Sequence, residues 1–185
     1  MFDLTPAATE MSRLVREVRD DQLDDPTPDD GWQVSRLLTH VHEFATVFTL
    51  NARKAPIALA DGLPDDWHSA IPAQLDELAA AWQDPAAWEG RVSAGGVEMS
   101  APENALVAVE ELVLHGWDLA RSIGGEVWPR DEDLARVEEF QTLFARAIAS
   151  GQGPYGPSVE VGADAGRFEQ LLGVAGRDPG WTGTR

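Results

Sequence analysis

The stretch from Ser100 to Gly125 most constrains how this chain can fold, because it carries both a helix start signal and a helix stop signal. Ser100 followed three residues later by Glu103 is a capping-box pattern, and the pair Gly124-Gly125 closes the far end. Between these signals apolar residues occupy most of the helix circumference. A helix that is apolar on nearly every side is buried, so we predict a central helix inside the protein.

A row of polar residues lies on this predicted helix, formed by Glu111, His115 and Asp118. Residues three or four apart project from one helical face, so the three side chains point in the same direction. The residues that flank the row are apolar: Ala108, Leu112 and Leu119 on one side, Val107 and Leu114 on the other. A buried carboxylate and a buried imidazole need a charge partner, and a divalent cation suits both. An ordinary hydrogen-bonded Glu–His pair is the alternative, and a third donor from elsewhere is needed to decide.

Length and charge narrow the classes of protein to consider. The chain has 185 residues, 43% of them hydrophobic, which predicts one folded domain over residues 1–185. Its formal net charge is -18. Nucleic acids and anionic membranes both require clustered Lys and Arg, so we expect neither as a partner.

The absence of cysteine excludes several kinds of chemistry. With no Cys in the sequence, a disulfide scaffold, a zinc ribbon and a cysteine nucleophile are all ruled out. Any metal must be held by nitrogen and oxygen, and any thiol chemistry must use an external thiol. The first residues do not form a signal peptide, and no apolar run approaches the ~20 residues of a membrane span. We therefore expect a cytoplasmic protein.

The rest of the chain predicts a mainly α fold: a bundle of four long helices with short accessory pieces. The predicted helices are Pro6–Arg19, starting from a Thr5 cap, Val34–Lys54, Asp65–Trp82 with a restart at Pro72, Asp131–Ser150 and Arg167–Ala175. The predicted irregular segments are Asp20–Gly31, Pro56–Pro64, residues 151–166 and a loose tail from Arg177. Gly95-Gly96, flanked by short extended runs, predicts a β-hairpin or extended crossover before the central helix. In a bundle, sites form in the core from facing helices.

The third donor that the argument needs is His40. It lies at the margin of the apolar stripe of the second helix, whereas His42 belongs to the polar side and His68 is expected at the surface. If the second helix and the central helix are neighbours, His40 converges with Glu111 and His115. Two imidazoles and one carboxylate with an open fourth position form a ligand set of catalytic zinc sites.

Asp118, one turn beyond His115, has two interpretations. It is placed to orient a ligating ring or to hydrogen-bond a water on the metal. The alternative is a simple salt bridge with Arg121 or another cation. No separate catalytic acid or base stands out in the sequence, so the catalytic residues stay unassigned.

Three segments also resemble a known family: DGWQVSRLLTHV, WEGRVSAGGVEM and ELVLHGWDLARSIG. They resemble actinobacterial metal-binding proteins related to the N-terminal domain of mycothiol-dependent maleylpyruvate isomerase, in the DinB-like superfamily of four-helix metal proteins. The resemblance implies a divalent metal, usually zinc in the isomerase, held by His40, Glu111 and His115. The isomerase carries a second, C-terminal domain that helps bind the substrate, and here only a short tail follows. We therefore do not carry the isomerase substrate over.

Three functions follow from such a site. The first is a thiol-dependent transferase or isomerase, in which the metal presents an external low-molecular-weight thiol as its thiolate to a small electrophile. The others are a metal-dependent hydrolase and a non-catalytic, metal-stabilised module that binds a ligand or a protein. An open fourth position favours the enzymes, and a position filled by Asp118 favours the module. The donor set suits zinc and also accepts nickel, iron or cobalt. A homodimer through a helix face is an assembly that the sequence allows.

Overall fold

The computed structural model of the chain describes residues 1–58, 62–151 and 155–183. Within these ranges the elements, in chain order, are α1 (Thr5–Glu17), α2 (Val34–Ala52), α3 (Trp67–Ala81), β1 (Arg91–Ala94), β2 (Val97–Ser100), α4 (Ala101–Ile123), α5 (Asp131–Leu143), α6 (Ala145–Ala149) and α7 (Arg167–Val174). Short 3-10 turns cover Asp20–Gln22 and Pro85–Trp88. The predicted mainly α fold with one short hairpin is confirmed.

Four helices close into a ring around the core. α1 packs against α3 and α4, and α2 packs against the same two helices, so the order around the bundle is α1, α3, α2, α4. α5 covers the outer side of α4, and α7 packs on α5. The side chains with no exposed surface come from all four bundle helices: Met11, Leu14, Leu37, Leu38, Ile71, Leu75, Leu78 and Leu119 among them. α2 and α4, the helices predicted to carry the metal donors, are therefore neighbours.

α4 begins and ends at the predicted signals. The Glu103 carboxylate accepts a hydrogen bond from the Ser100 backbone N–H at 2.7 Å, and the Ser100 hydroxyl accepts one from the Glu103 N–H at 3.3 Å. Gly124 ends the helix with a φ of 73°, a left-handed conformation that glycine adopts without steric cost. Sixteen of the helix residues are buried, in line with the prediction of a central buried helix.

The hairpin also matches its sequence signal. β1 and β2 pair antiparallel, with Ala94 opposite Val97 across the two glycines. Gly95 and Gly96 have φ angles of 57° and 79°, the left-handed pair that a tight two-residue hairpin turn requires. The hairpin delivers the chain directly into the first turn of α4.

Two helix predictions were wrong in detail. Pro72 does not restart α3 but lies inside it, because the proline removes only the bond to the carbonyl of His68 in the first turns of the helix. The long helix predicted over Asp131–Ser150 is interrupted at Phe144, and the short α6 that follows has no buried residue. The apolar side chains of Phe144, Ala147 and Ile148 are only half-buried, so too little apolar surface is buried to continue α5.

The beginning of α1 differs as well. Thr5 is not a side-chain cap but the first helical residue, and the Asp3 carboxylate accepts its backbone N–H at 2.9 Å. The predicted loop over Asp20–Gly31 contains a short 3-10 turn. Residues 59–61 and 152–154, from two predicted loops, lie outside the described residues, as do residues 184–185.

The helices of the described ranges can be compared with a membrane-spanning helix in length and apolar character. None of these described helices combines the length and the apolar character that crossing a bilayer requires.

Candidate metal centre

The three predicted donors meet between α2 and α4. Nε2 of His40 lies 3.1 Å from Oε2 of Glu111, and Nε2 of His115 lies 3.1 Å from the same oxygen. One donor atom from each of these residues falls within 4.8 Å of the other two. The exposed fractions of the side chains are 28% for His40, 20% for Glu111 and 10% for His115. The cluster is thus partly buried and open to solvent on the His40 side.

Each donor is placed by the helix that carries it. Glu111 and His115 are one turn apart on α4, so both reach toward α2 from one face. His40 lies one turn from Leu37 and Phe44, which are both buried, and this places its ring at the edge of the core. The His40 ring meets the Phe44 ring edge-on at 5.5 Å and the His115 ring edge-on at 4.8 Å. Core packing therefore holds the two imidazoles together.

Trp32 forms one wall of the cluster. Its ring lies parallel to that of His115, with 6.0 Å between centroids, and meets His40 edge-on at 5.2 Å. The guanidinium of Arg36 lies over the Trp32 ring, 5.0 Å from its centroid. We call residues 23–33, which precede α2 and carry Trp32, the Trp32 loop. A loop side chain thereby limits how far either imidazole can turn.

Asp118 contacts His115 from behind the cluster. Its Oδ2 lies 2.9 Å from Nδ1 of His115, and its side chain has no exposed surface. The two ring nitrogens of an imidazole point to opposite sides. Asp118 therefore lies on the far side of the His115 ring from the donor atoms of Glu111 and His40. Of the two predicted roles, orienting the ring is the one that this contact supports. The predicted alternative partner, Arg121, instead bonds to the carbonyl of Trp181.

Arg177 is the cation that pairs with Asp118, so the predicted salt bridge with another cation also forms, although the sequence reasoning did not identify Arg177 as the partner. The predicted loose tail was wrong at this residue: Arg177 is buried, with its Nη2 2.9 Å from Oδ2 of Asp118 and its Nε 3.3 Å from Oδ1. The same Nη2 lies 3.3 Å from Oδ2 of Asp29 in the Trp32 loop. Asp29, His115 and Asp118 also form a cluster of metal-donor types, but the Arg177 guanidinium already serves as its cation. A signal did exist, because a carboxylate on a wholly buried helix demands a cation.

A second buried carboxylate, Glu110, was also missed. It lies beside Glu111 in sequence and accepts a hydrogen bond from the Tyr155 hydroxyl at 2.7 Å. Leu106 and Leu114, each one turn away on α4, are both buried. Glu110 is therefore flanked by apolar residues on α4 just as Glu111 is, and its burial could have been predicted from the sequence in the same way.

Burial and neighbouring charges shift the pKa values of three residues on α4: Glu110, Glu111 and His115. Burial alone would raise the pKa of Glu111, but hydrogen bonds from His115 and His40 outweigh it and hold that pKa far below its usual range. Burial alone would lower the pKa of His115, yet Asp118 and Glu111 raise it to about 10. Burial and then the charge of Glu111 raise the pKa of Glu110 to about 8. Without a metal, His115 is thus an imidazolium held between two carboxylates.

The other two histidines lie outside the cluster. His68 is half-exposed, stacks on Trp67 at 3.5 Å and lies 3.4 Å from an Asp20 carboxylate oxygen. This agrees with its predicted surface position. For His42, the polar side of its helix implied a surface position, and this was wrong in degree: the residue is half-buried, and its Nδ1 is a buried atom without a hydrogen-bond partner among the described residues.

The donor set fits a divalent cation. A tetrahedral zinc ion with bonds of about 2.0–2.1 Å separates its ligand atoms by roughly 3.3 Å. The two 3.1 Å separations at Glu111 are close to that spacing. His115 in addition has the carboxylate partner on its second ring nitrogen that metal-ligating histidines usually have.

In this protein, two imidazoles and one carboxylate meet from facing helices of a bundle. These features place it in the class of helical-bundle proteins with a candidate metal centre in the core. Within that class, the chain belongs to the mycothiol maleylpyruvate isomerase N-terminal domain family, whose model matches residues 4–120. The resemblance inferred from the sequence is thereby confirmed. The matched range includes His40, Glu111, His115 and Asp118, and it ends before Arg177.

A protein of Stutzerimonas stutzeri with the name "Putative C-P lyase subunit protein HtxG" is 30% identical over 154 residues. The alignment covers 81% of this chain and 70% of that protein. No solved structure matches the chain significantly.

Proposed function

We propose that this protein binds one divalent cation, zinc most readily, through His40, Glu111 and His115. We further propose that the loaded site activates an external low-molecular-weight thiol of the mycothiol kind for transfer to, or isomerisation of, a small electrophile. The observation that carries the proposal is the convergence of two Nε2 atoms on one oxygen of Glu111, each at 3.1 Å. Membership of the isomerase family supports the thiol chemistry.

The residues around the site have separate tasks. His40 and His115 supply neutral nitrogen donors, and Glu111 supplies a negative oxygen. Asp118 holds the His115 ring through Nδ1, so Nε2 faces the side of the ring on which Glu111 and His40 lie. A divalent cation held there supplies Lewis acidity, which lowers the pKa of a coordinated thiol toward neutrality.

Access to the cluster supports an enzyme rather than a closed structural site. Asp118, the candidate fourth ligand, is engaged by His115 and Arg177 on the far side of the ring. Among the described residues, the donor group around Glu111 has three members. The exposed fraction of His40, 28%, leaves this side of the cluster open to a small molecule. Since the sequence contains no Cys, the thiol must come from outside the chain.

Metal content measured by elemental analysis on protein purified without an affinity tag tests the site. We expect one equivalent of zinc or a related cation in the wild type, and loss of it in His40→Ala, Glu111→Ala and His115→Ala. The matched controls are His42→Ala and His68→Ala, which remove a histidine outside the cluster and should keep the metal. Full retention in His115→Ala would overturn the site.

Thiol binding is tested on the cobalt-substituted protein, whose visible spectrum responds to changes in ligation. A low-molecular-weight thiol should change the spectrum of the wild type at neutral pH, whereas its S-methyl analogue should not. Identical spectra with and without any thiol would remove the thiol-transfer function and leave the metal site standing.

A further inference from the structure

Arg177 joins three separate parts of the protein at one guanidinium. It belongs to the C-terminal segment, residues 175–183, and it bonds both Asp118 on α4 and Asp29 in the Trp32 loop. Its Nη1 also donates to the carbonyl of Ala175 at 3.0 Å, which fixes the side chain against its own segment. All three nitrogens of the guanidinium thus donate hydrogen bonds, which together fix its orientation.

The two carboxylates that it binds both lead to His115. Asp118 accepts from Nδ1 of this ring at 2.9 Å. The Trp32 loop, held through Asp29, places the Trp32 ring parallel to the same imidazole. Arg177 therefore affects the ring of His115 in two ways. Through Asp118 it fixes the hydrogen bond to Nδ1, and through Asp29 it fixes the Trp32 ring that lies against the face of the imidazole.

We propose that Arg177 is a positioning residue for the candidate metal centre, fixing the Asp118 carboxylate and the Trp32 loop so that Nε2 of His115 stays directed at Glu111 and His40. The part that concerns metal affinity rests on the proposed function. The part that concerns the His115 ring does not, because it is a property of the metal-free protein. Arg177 lies beyond residues 4–120, the range that the family model matches. The C-terminal segment would thus supply a residue that positions donors within the matched range.

The physical reason lies in the burial of Asp118. A carboxylate with no exposed surface is strongly unfavourable when its cation is removed. Without Arg177, the side chain of Asp118 must turn toward another donor or admit water. Either change weakens the hydrogen bond that fixes the His115 ring, and the freed Asp29 also loosens the Trp32 loop.

Arg121 provides the matched control. It too joins α4 to the C-terminal segment, through a hydrogen bond from its guanidinium to the carbonyl of Trp181. Arg121 lies one helical turn beyond Asp118 on α4, and its bond to the segment is made to a backbone carbonyl rather than to a carboxylate. Arg121→Gln thus loosens the attachment of the segment without removing the cation from Asp118.

The first measurement uses the metal-free protein and records ¹⁵N-correlated imidazole spectra at neutral pH. The His115 resonances are assigned by their loss in His115→Gln. We expect a hydrogen-bonded Nδ1–H resonance in the wild type and in Arg121→Gln, and its loss or a large shift in Arg177→Gln. Arg177→Lys, which returns a cation without the two-pronged geometry, should give an intermediate spectrum.

The second measurement is zinc affinity by competition with a chelator. We expect about 10- to 100-fold weaker binding in Arg177→Gln, as is usual when the outer partners of a ligand are changed, and unchanged binding in Arg121→Gln. In an Asp118→Asn background, Arg177→Gln should weaken binding less than it does in the wild type, since the effect that passes through the Asp118 carboxylate is already lost and only the effect through Asp29 remains.

The outcomes separate this inference from the proposed function. An unshifted His115 resonance in folded Arg177→Gln would overturn the positioning role, and so would equal losses of affinity in Arg177→Gln and Arg121→Gln. Failure of both Arg177 variants to fold would assign the residue to stability and would also overturn it. A wild type that binds no zinc would instead refute the proposed function, while the imidazole spectra would still decide the role of Arg177.

Discussion

At the scale of single residues, the orientation of the His115 ring decides which of its two nitrogens faces the other donors. Its Nδ1 is engaged by Asp118, and its Nε2 faces Glu111. In the metal-free protein both nitrogens carry a proton, because the two carboxylates raise the pKa of His115 to about 10. Binding of a cation at Nε2 must therefore release a proton, and metal affinity should fall as the pH falls.

Asp118→Asn tests whether Asp118 orients the ring or ligates the metal. The amide oxygen of Asn can still accept from Nδ1, but the charge of the carboxylate is lost. We expect one equivalent of metal to remain, with affinity or activity reduced about 10- to 100-fold, measured by elemental analysis and chelator competition. The matched control is Asp133→Asn, which changes a buried aspartate at the start of α5 and should leave metal affinity unchanged. Complete loss of the metal would show that Asp118 is a ligand.

At the scale of elements, α4 supplies two of the three donors and depends on its capping box. The Ser100 hydroxyl and backbone N–H lower the pKa of Glu103. A carboxyl whose pKa is lowered in the folded state contributes stability above its unfolded pKa of 4.5, and that contribution is lost as the pH falls through the folded pKa. The start of α4 is therefore less stable in acid.

Ser100→Ala measures this contribution directly. Removing the hydroxyl should lower the free energy of unfolding at pH 7 by about 0.5–2 kcal/mol, as measured by urea denaturation. The deficit should shrink below pH 4.5, where Glu103 becomes protonated in the unfolded chain. Thr142→Ala is the control, since that hydroxyl bonds a carbonyl within α5 and caps no helix. A deficit of the same size at pH 3 and pH 7 would contradict this account.

The sequence predicted those elements whose signals are local. α4, the hairpin and the pairing of Glu111 with His115 follow from a capping box, two glycines and a four-residue spacing. The break at Phe144 could not be predicted, because the apolar pattern continues and only the missing packing partner ends the helix. Arg177 was missed for a related reason: its partner Asp118 is 59 residues away in the chain. Glu110, by contrast, was within reach of the burial argument.

At the scale of the whole molecule, the candidate centre joins two neighbouring helices of the ring. His40 is on α2, while Glu111 and His115 are on α4, and the hydrophobic core extends well beyond them to α1 and α3. A bound cation would therefore add to the stability of a bundle that already has a core of its own.

Chelation of the metal-loaded protein should lower its melting temperature and leave its helical circular dichroism intact at 25 °C. A cation present at about 100 times its dissociation constant stabilises the folded state by about 2.7 kcal/mol, provided that the unfolded chain does not bind it. The control is His115→Ala, whose melting temperature should not respond to chelator. Complete unfolding of the wild type on chelation would make the cation structural and favour a non-catalytic module.

The central claim is that His40, Glu111 and His115 hold one divalent cation, and anomalous diffraction tests it most directly. Crystals of zinc-loaded protein measured above and below the zinc absorption edge should show one strong peak in contact with Nε2 of His40, Nε2 of His115 and the Glu111 carboxylate. Asp118 should remain bonded to Nδ1 of His115, away from the peak. A peak between Asp29 and Asp118, or no peak at these three side chains in loaded crystals, would contradict the account.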